Sequence, residues 1–325
     1  MTYLADLKTL YLLNPEMEVW ATGTQVRWRR PDGKTEAHPR EGVRDLVVHC
    51  DAVIKSSLWK FSRDNGCPIA LVDGRFGILG RFTPPPEGKG GLRSAQYELC
   101  RDTNRALTTA KAAIAAKCRG QRDLLVEYGS RVFATPDFVK VDDAEVLLGV
   151  EGAVARAYFD AWPALLEGTD FGFSARRRHP APDPVNALYD TAISLLANDI
   201  FTLCVIVGLD PYLGFYHKIA TGRPSLVADL IEEWRAPVVD KFVLRCLRRS
   251  EFNSQDFAMK DGACRLAGGA WGKMLNKWTD WHLKTVRTEN TYRPLSYRDL
   301  IELQVRHFAR VCLGDDPSYE AHEPV

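Results

Sequence analysis

A stretch rich in proline and glycine at residues 83–91 divides the chain into two parts with different sequence patterns. Consecutive prolines stiffen its first half and glycines loosen its second half, and it contains no large apolar side chain that could enter a core. Neither a helix nor a strand is favoured there. The sequence therefore predicts two domains, residues 1–82 and 93–325, that are joined by a linker at residues 83–92.

Before the linker, apolar and polar residues alternate and turn signals are frequent, which is typical of β-strands. The pattern predicts one short helix at residues 56–64 and strands at residues 19–21, 25–28, 46–48 and 68–72. After the linker, apolar residues recur at helical spacing, with much alanine and little β-branching. Helical segments are predicted, with breaks at Pro163 and Pro237, at residues 94–128, 144–166, 185–207, 226–249 and 295–313. The expected fold class is α+β, with a small N-terminal β-rich domain followed by a larger all-α-helical domain.

The charge and the cysteine content restrict the classes of protein that fit. The 325 residues carry a formal net charge of +1, so a nucleic-acid partner would need a local basic face. The 8 cysteines are scattered without a Cys-x-x-Cys pair, which favours reduced cytoplasmic thiols over a zinc site or a disulfide framework. Apolar runs fall short of the roughly 18 residues that a membrane span needs, and the N-terminus lacks a signal-peptide pattern. We therefore expect a cytoplasmic protein without a membrane partner.

The helical part carries carboxylate and imidazole side chains within apolar surroundings. Glu151 sits among small and apolar residues at 147–159, where a neighbouring helix could approach closely and bury the carboxylate. A buried carboxylate is costly unless it is paired or metal-bound. The alternative for Glu151 is an exposed or salt-bridged surface position, which is the usual environment of glutamate.

His217 follows a run of apolar and aromatic residues that would shield its ring from water. It could also be a hydrogen-bonded core histidine or a residue at a helix C-terminus. Asp229, Glu232 and Glu233 share one face of a helix that begins near Ser225. For these acids the alternative is a solvated face near the helix N-terminus.

Two carboxylates and one imidazole on separate segments, Glu151, Glu232 and His217, could together form an oxygen-rich site for Mg²⁺ or Mn²⁺. Such a site suits phosphodiester chemistry, in which a metal activates the attacking oxygen and neutralises charge on the phosphate. Spacing along the sequence leaves open whether the three side chains meet in space.

Four motifs follow one another through the helical part: Leu-Gly-x-Glu-Gly-x-x-Ala-x-x-Tyr-Phe at 148–159, Asp-Pro-Val-Asn-Ala-Leu at 183–188, Gly-Leu-Asp-Pro-Tyr-x-Gly-Phe-x-His at 208–217, and Ser-Leu-x-x-Asp-Leu-x-Glu-x-x-Arg-x-Pro at 225–237. In this order they resemble the signatures of the CRISPR-associated spacer-acquisition endonuclease/integrase family, that of the first-numbered Cas protein. With further matches on either side, the resemblance covers about residues 15–320.

The resemblance implies a metal-dependent DNA endonuclease and integrase that inserts spacer DNA into a CRISPR array by transesterification, with nuclease side activity. Glu151, His217 and Glu232 would be its catalytic ligands for Mg²⁺ or Mn²⁺, and Asp229 would support them from one turn earlier on the same helix. Asn186 would lie behind the ligands, where it could bond a phosphate or cap a helix. Glu233 is expected to be a surface charge.

The resemblance also implies partners. The substrates would be double-stranded and branched DNA, in the form of spacer fragments and the CRISPR repeat. The chain would form a homodimer through its β-rich domain. Two such dimers would bridge a small dimeric second protein of the acquisition complex, in the prokaryotic cytoplasm.

Two basic segments could contact the DNA. One is a Pro-rich connection before residue 184, and the other, residues 241–287, holds ten Lys/Arg against four Asp/Glu. We predict contacts to phosphates without sequence reading, because no base-reading motif is present. The arginines assigned to these contacts are Arg176, Arg177, Arg178, Arg245, Arg248 and Arg249. Three tryptophans of the second segment could stack on bases at a strand end or lie in the core: Trp271, Trp278 and Trp281.

Two other functions are compatible with parts of the sequence. The acidic run at residues 229–233 is similar to the metal motif of helical lyases that act on diphosphates, although no second acidic cluster is present to oppose it. A non-catalytic DNA-binding scaffold would use only the arginines. The sequence lacks a phosphate-binding glycine loop, a His-Glu-x-x-His motif and a nucleophile elbow, which argues against several other enzyme classes.

Overall fold

The computed structural model describes residues 8–74, 76–85, 89–177, 180–287 and 293–321. The chain forms two compact units, of which the first comprises Met1–Arg93 and Thr202–Leu209 and the second comprises Ser94–Phe201 and Asp210–Val325. The sequence pattern did not predict that Thr202–Leu209 belongs to the first unit. Within that unit, Thr202 Oγ1 donates a hydrogen bond of 3.2 Å to the buried carboxylate of Asp45.

The first unit is built from short strands and one helix. Its elements are β1 (Lys8–Leu12), β2 (Glu18–Ala21), β3 (Gln25–Arg29), β4 (Thr35–Pro39), β5 (Val43–His49), β6 (Val53–Ile54), α1 (Ser56–Asn65), β7 (Ile69–Val72) and β8 (Ile78–Phe82). One four-stranded sheet has the order β1-β5-β7-β8, in which only β8 is antiparallel to its neighbour. The other has the order β4-β3-β2-β6, in which only β6 is parallel to its neighbour.

The core of the first unit lies around β5, which is buried along its whole length. Its centre, residues 46–48, is a short apolar run, which suits a strand that is covered on both faces, and the buried side chains of Arg44 and Asp45 pair with each other at 2.9 Å. Helix α1 adds Leu58 and Phe61 to the same core. The predicted strands at residues 19–21, 25–28, 46–48 and 68–72 are therefore confirmed by β2, β3, β5 and β7, and the predicted helix at residues 56–64 is confirmed by α1.

The rest of the chain is mainly helical. In chain order its helices are α2 (Gly90–Arg101), α3 (Thr103–Glu127), α4 (Ala144–Asp160), α5 (Trp162–Leu165), α6 (Pro184–Val207), α7 (Ser225–Ile231), α8 (Lys241–Arg248), α9 (Ala270–His282) and α10 (Tyr297–Leu313). Because α2 begins at Gly90, the end of the predicted linker at residues 83–92 is helical. The predicted helix at 94–128 is divided at Asp102, whose side chain caps α3 by accepting from the N–H groups of Asn104 and Arg105.

Helix α6 has the length and the apolar composition of a helix that could cross a membrane. Its most apolar stretch of 18 residues is 61% buried inside the protein. Buried core helices pass the same test of length and composition. No other helix among the described residues passes it.

Pro237 does not end its helix, contrary to the predicted break. After α7 the chain continues through a 3₁₀ turn at Glu232–Trp234 and a π-helical turn at Arg235–Asp240 into α8. Proline has no N–H to donate, and a local change of helix type accommodates the missing bond. The π-helical turn packs against α3 at Gly120, where a methyl group in place of the glycine hydrogen would lie 3.2 Å from Ala236 Cβ.

The prediction that the larger domain is all-α is wrong, although the α+β class is confirmed. Two antiparallel strand pairs lie among its helices: the hairpin of β9 (Phe257–Lys260) with β10 (Ala263–Leu266), and β11 (Thr285–Val286) with β12 (Leu295–Ser296). Asp261 and Gly262 both adopt positive φ between β9 and β10, as a tight hairpin turn requires. An Asp-Gly pair in a sequence is a signal for a hairpin turn. The two flanking strands have only four residues each, which is too short to show a clear alternation of apolar and polar residues.

Candidate active site

A buried lysine joins two of the predicted ligands within the second unit. Lys117 on α3 has its ammonium group between the carboxylates of Glu151 on α4 and Glu232 at the end of α7. Lys117 Nζ donates a short hydrogen bond to Glu151 Oε1 and lies 2.6 Å from Glu232 Oε2. Lys117 is 1% exposed and Glu232 is 3% exposed, so both charges are removed from water. Since both carboxylates reach one nitrogen, the two acids converge in space.

Lys117 was not among the predicted site residues, although the sequence contains a signal for its burial. Apolar and small residues recur on one face of α3, and Lys117 falls in register with them. The buried members of this face include Ala106, Ala110, Ala113, Lys117, Gln121 and Leu124. A lysine on the buried face of a helix needs an anionic partner, which is the signal that could have identified it.

The carboxylate of Glu232 is held in its charged form. Burial alone would raise its pKa, but the positive charges of Arg235 and Lys117 outweigh burial and lower the pKa. Arg235 Nε lies 3.4 Å from Glu232 Oε2. That oxygen is buried and makes ion pairs without a well-directed hydrogen bond. A buried carboxylate oxygen with this unused capacity is a suitable ligand for a divalent cation.

Tyr216 fixes the other carboxylate. Its hydroxyl donates a hydrogen bond of 2.7 Å to Glu151 Oε2, so the two oxygens of Glu151 face Tyr216 and Lys117. Burial raises the pKa of Tyr216, and the bond to Glu151 raises it further. The phenol therefore stays protonated and acts as a hydrogen-bond donor.

Asp229 organises the loop that carries His217. One of its oxygens accepts the N–H groups of Phe215 and Tyr216, at 2.6 and 3.0 Å. The other accepts the N–H of His217 at 2.8 Å and lies 2.6 Å from His217 Nδ1. Burial raises the pKa of Asp229, against the effect of these donors. A carboxylate on Nδ1 orients the ring and leaves Nε2 as the nitrogen for a ligand, an arrangement common in metal sites.

Gly214 allows this loop to lie against α7. A methyl group on Gly214 would lie 2.3 Å from Asp229 Oδ2 and 2.8 Å from the carbonyl carbon of Ser225. We expect Gly214→Ala to lower the free energy of unfolding by about 1–3 kcal/mol, because the carboxylate or the backbone must move. Urea denaturation of the variant measures this loss.

The matched control is Gly149→Ala on α4, where a methyl group would meet nothing within 4 Å. Alanine favours a helix more than glycine does, so this variant should be neutral or stabilising. Equal stability of wild type and Gly214→Ala would contradict the close approach. Gly149 and Gly152 themselves face open space, so the approach of α3 to Glu151 through Lys117 does not depend on these two glycines.

The donor set fits a hard divalent ion. Glu151 and Glu232 supply carboxylate oxygens, and His217 supplies an oriented imidazole whose side chain is 18% exposed. These are ligand types that Mg²⁺ and Mn²⁺ accept. In this structure the ammonium of Lys117 supplies the positive charge between the two carboxylates.

A tighter cluster of possible metal ligands lies in the first unit. His49, Cys50 and Asp51 have ligand atoms within 4.8 Å of one another, which holds for no other group of three among the described residues. His49 Nδ1 accepts a hydrogen bond of 3.2 Å from the N–H of Asp51, so this nitrogen is already used. Burial and the charge of Asp51 raise the pKa of Cys50, which keeps the thiol protonated.

Asn186 anchors the loop that precedes α6. It is fully buried, accepts from Arg176 Nη1 and Arg177 N at 2.9 Å, and donates to Ala175 O and Asp183 Oδ2. Among the described residues, no hydrogen bond joins it to Glu151, His217 or Glu232. The cap of α6 is Asp183, which accepts the N–H of Asn186 at 2.8 Å.

The arginines predicted to contact DNA differ in how much of their charge is available. Arg176 is mostly buried, where it pairs with Asp190 and lies 4.3 Å from the ring of Tyr189. Arg177 is exposed, and Arg178 lies outside the described residues. Arg245 is half-buried and 3.4 Å from Glu251, whereas Arg248 and Arg249 are exposed on the surface. Arg248 also donates to Leu165 O at 2.7 Å.

Two of the three tryptophans are core residues. Trp278 is 1% exposed and packs against Phe242, and Trp281 is 3% exposed and donates to Val238 O at 2.8 Å. Stacking of these two rings on bases is therefore excluded without rearrangement of the core. Trp271 is half-buried.

The expectation that Glu233 is a surface charge is wrong. Glu233 is 2% exposed and accepts a short hydrogen bond from the hydroxyl of Tyr319. The ring of Tyr319 packs against Phe215 and Phe308, so the segment that follows α10 is docked behind the loop of His217 at this residue. No periodic pattern marks this segment, because a single docked aromatic residue creates none.

A buried polar group lies next to Arg235. Asp240 is completely buried and accepts a hydrogen bond of 2.7 Å from Tyr158. Burial raises its pKa from 3.8 to about 6, although Tyr189, Tyr158 and the charge of Arg235 oppose the shift. The folded protein thus binds this proton more tightly than the unfolded chain does, and stability falls as the pH rises from about 3.8 to about 6.

We expect Asp240→Asn to remove this loss. Above pH 6, ionisation of Asp240 lowers the free energy of unfolding of the wild type by about 3 kcal/mol, because each pKa unit corresponds to about 1.36 kcal/mol. The stability of the variant relative to wild type should therefore increase by about that amount between pH 4 and pH 7. Urea denaturation at both pH values measures it, with the exposed Asp160→Asn as the control. Parallel pH profiles for wild type and Asp240→Asn would overturn the prediction.

The fold and the site define a class. A β-rich unit accompanies a mainly helical unit in which two carboxylates share one buried ammonium group. The imidazole of His217, oriented by Asp229, follows Tyr216, whose hydroxyl bonds one of these carboxylates. Carboxylate and imidazole groups are ligand types that divalent ions accept in enzymes.

Comparisons with known proteins identify the family. The model for CRISPR associated protein Cas1 matches residues 10–280. CRISPR-associated endonuclease Cas1 3 of Thermus thermophilus is 29% identical over 318 residues, which are 96% of each chain. The chain belongs to the Cas1 family.

Solved structures show the same fold. A CAS1 protein from Thermotoga maritima has a TM-score of 0.86 at 20% identity, over 98% of this chain and 100% of that one. A casposase bound to integration product has a TM-score of 0.81 at 21% identity, over 97% and 93% of the two chains. A chain of a Cas6-RT-Cas1–Cas2 complex also has a TM-score of 0.81, at 15% identity, over 97% of this chain and 36% of that one.

Proposed function

We propose that the chain is a metal-dependent DNA endonuclease and integrase that inserts spacer DNA into a CRISPR array. Membership of the Cas1 family and the fold shared with a casposase bound to integration product support this function. The observation that carries it is the convergence of Glu151 and Glu232 on one buried nitrogen, beside a histidine that Asp229 orients.

Glu151, Glu232 and His217 would hold Mg²⁺ or Mn²⁺, which activates the attacking oxygen and neutralises charge on the phosphate. Tyr216 and Asp229 hold Glu151 and His217 in position. His217 serves as a ligand and does not transfer protons.

The reaction is a transesterification. A 3′ hydroxyl of the incoming DNA loses its proton and forms a bond to phosphorus in the target strand, and the bond from that phosphorus to the target 3′ oxygen breaks. The released 3′ oxygen takes up a proton. Water in place of the hydroxyl gives hydrolysis, which accounts for nuclease side activity.

Arginines at the surface would bind the DNA through its phosphates. Arg177, Arg248 and Arg249 are exposed and best suited to this role, whereas Arg176 is committed to contacts within the chain. The homodimer and the small dimeric second protein are further parts of the proposal. Similarity to a chain of a Cas6-RT-Cas1–Cas2 complex supports the second of these. Action on a chromosomal array places the protein in the prokaryotic cytoplasm.

The competing lyase function needs several carboxylates of the 229–233 run for its metals. Asp229 is occupied by backbone N–H groups and His217, and Glu233 by Tyr319. Only Glu232 of this run faces the proposed ligands. This arrangement favours phosphodiester chemistry at a mixed site over diphosphate chemistry at an acidic cluster.

The test is strand transfer of a short DNA duplex into a plasmid that carries a CRISPR repeat, with the second protein present. We expect covalent insertion with Mn²⁺ or Mg²⁺, and none with a chelator or with a duplex whose 3′ ends lack the hydroxyl. A non-catalytic scaffold predicts DNA binding without insertion under all conditions. Insertion that persists with the chelator would reject metal dependence.

A further inference from the structure

The charges around Lys117 are balanced without a metal ion. Lys117 and Arg235 carry two positive charges, and Glu151 and Glu232 carry two negative charges, within one buried group. Two buried carboxylates without such partners would be strongly destabilising. The lysine therefore allows the site to fold while empty of metal.

The same balance opposes a divalent cation. Binding to Glu151 and Glu232 would bring two further positive charges next to the ammonium of Lys117, which lies 2.6 Å from Glu232 Oε2. At low local dielectric this repulsion is strong. A lysine can withdraw because its charge sits at the end of a flexible stem, whereas the fork of an arginine is planar and holds carboxylates with two bonds.

We propose that Lys117 is a built-in counter-ion that competes with the metal for Glu151 and Glu232, so that metal binding requires its ammonium group to leave Glu232. The proposal rests on the metal site proposed above. Lys117 is thus a positioning residue that keeps the two acids together before the metal arrives and sets the affinity for it.

Two variants of Lys117 should change metal affinity in opposite directions. Lys117→Met removes the charge at similar length, so we expect Mn²⁺ to bind at least tenfold more tightly while the melting temperature without metal falls. Lys117→Arg keeps the charge and grips both carboxylates, so Mn²⁺ should bind at least tenfold more weakly. A residue that merely supports the structure would weaken binding in both variants.

Isothermal titration of the metal-free chain with Mn²⁺ and melting curves with and without Mn²⁺ provide the readouts. Lys111→Met is the control, because Lys111 lies on the same helix and donates to Val141 O at 2.8 Å instead of to a carboxylate. It should leave the affinity unchanged. If Lys117→Met does not fold without metal, Lys117→Gln takes its place as the uncharged variant, and tighter Mn²⁺ binding in Lys117→Gln is then required beside weaker binding in Lys117→Arg.

The outcomes separate this inference from the proposed function. Weaker or unchanged Mn²⁺ binding in Lys117→Met, or unchanged or tighter binding in Lys117→Arg, overturns the role of Lys117. The proposed metal site would still be supported after such a result, provided that wild type binds Mn²⁺ and Glu232→Gln does not. Equal binding by wild type and Glu232→Gln removes the metal site itself, and the inference with it.

Discussion

Replacing Glu232 with glutamine is expected to reduce metal-dependent strand transfer about 1000-fold. The substitution keeps the size of the side chain but removes the negative charge that a divalent ion needs. Charge stabilisation by a metal contributes several kcal/mol to such a transition state, and each 1.36 kcal/mol changes the rate about tenfold. Strand transfer of a short duplex into a repeat-bearing plasmid, followed over time, measures the loss.

The neighbouring glutamate provides a matched control. Glu233 follows Glu232 directly and is equally buried, but it accepts its hydrogen bond from Tyr319. Glutamine can accept the same bond, so Glu233→Gln should retain strand transfer within about threefold, as for a neutral hydrogen bond kept in place. Equal losses of strand transfer in the two variants would mean that any change at a buried glutamate of this segment lowers activity, and that Glu232 has no special role as a ligand.

Replacing Asp229 with asparagine is expected to weaken Mn²⁺ binding by about 10–100-fold, the usual effect of removing the partner of a ligand histidine. One oxygen of Asp229 accepts two backbone N–H groups, and the other accepts a third and contacts His217 Nδ1. An amide NH₂ in place of either oxygen would face these donors. The variant should therefore also lose several kcal/mol of stability, because hydrogen bonds to a charged group are worth about 1.5–3 kcal/mol each.

Titration with Mn²⁺ and urea denaturation measure the two effects separately. Asp210→Asn on the same loop is the control, since the carboxylate of Asp210 accepts the N–H of Tyr212 at 2.9 Å. That variant should bind Mn²⁺ as wild type does. If Asp229→Asn also binds Mn²⁺ with wild-type affinity, His217 is not held for the metal by this carboxylate.

The ligand set could be proposed from sequence for two reasons. Carboxylate and imidazole side chains stand within otherwise apolar motifs, and these motifs follow one another in the same order as the signatures of the family. Glu151, Glu232 and His217 were chosen in that way, and the fold brings the first two to one nitrogen and His217 to Asp229. Lys117 was missed because lysines on long helices are usually exposed, whereas this one lies on the buried face of α3.

The parts of the fold that sequence patterns did not predict depend on tertiary structure. The strands β11 and β12 have two residues each and produce no periodicity. The π-helical turn at Pro237 keeps a helix continuous where proline usually ends one, since packing against α3 compensates for the lost bond. Burial of Glu233 follows from the docking of Tyr319, which lies 86 residues away.

The most direct measurement is the anomalous diffraction of Mn²⁺ in crystals of the chain. We predict one peak at about 2–2.5 Å from oxygens of Glu151 and Glu232 and from His217 Nε2, the distances usual for such ligands. A peak at His49, Cys50 and Asp51 without one between the two glutamates, or no ordered Mn²⁺ at saturating concentration, would contradict a catalytic metal at this site.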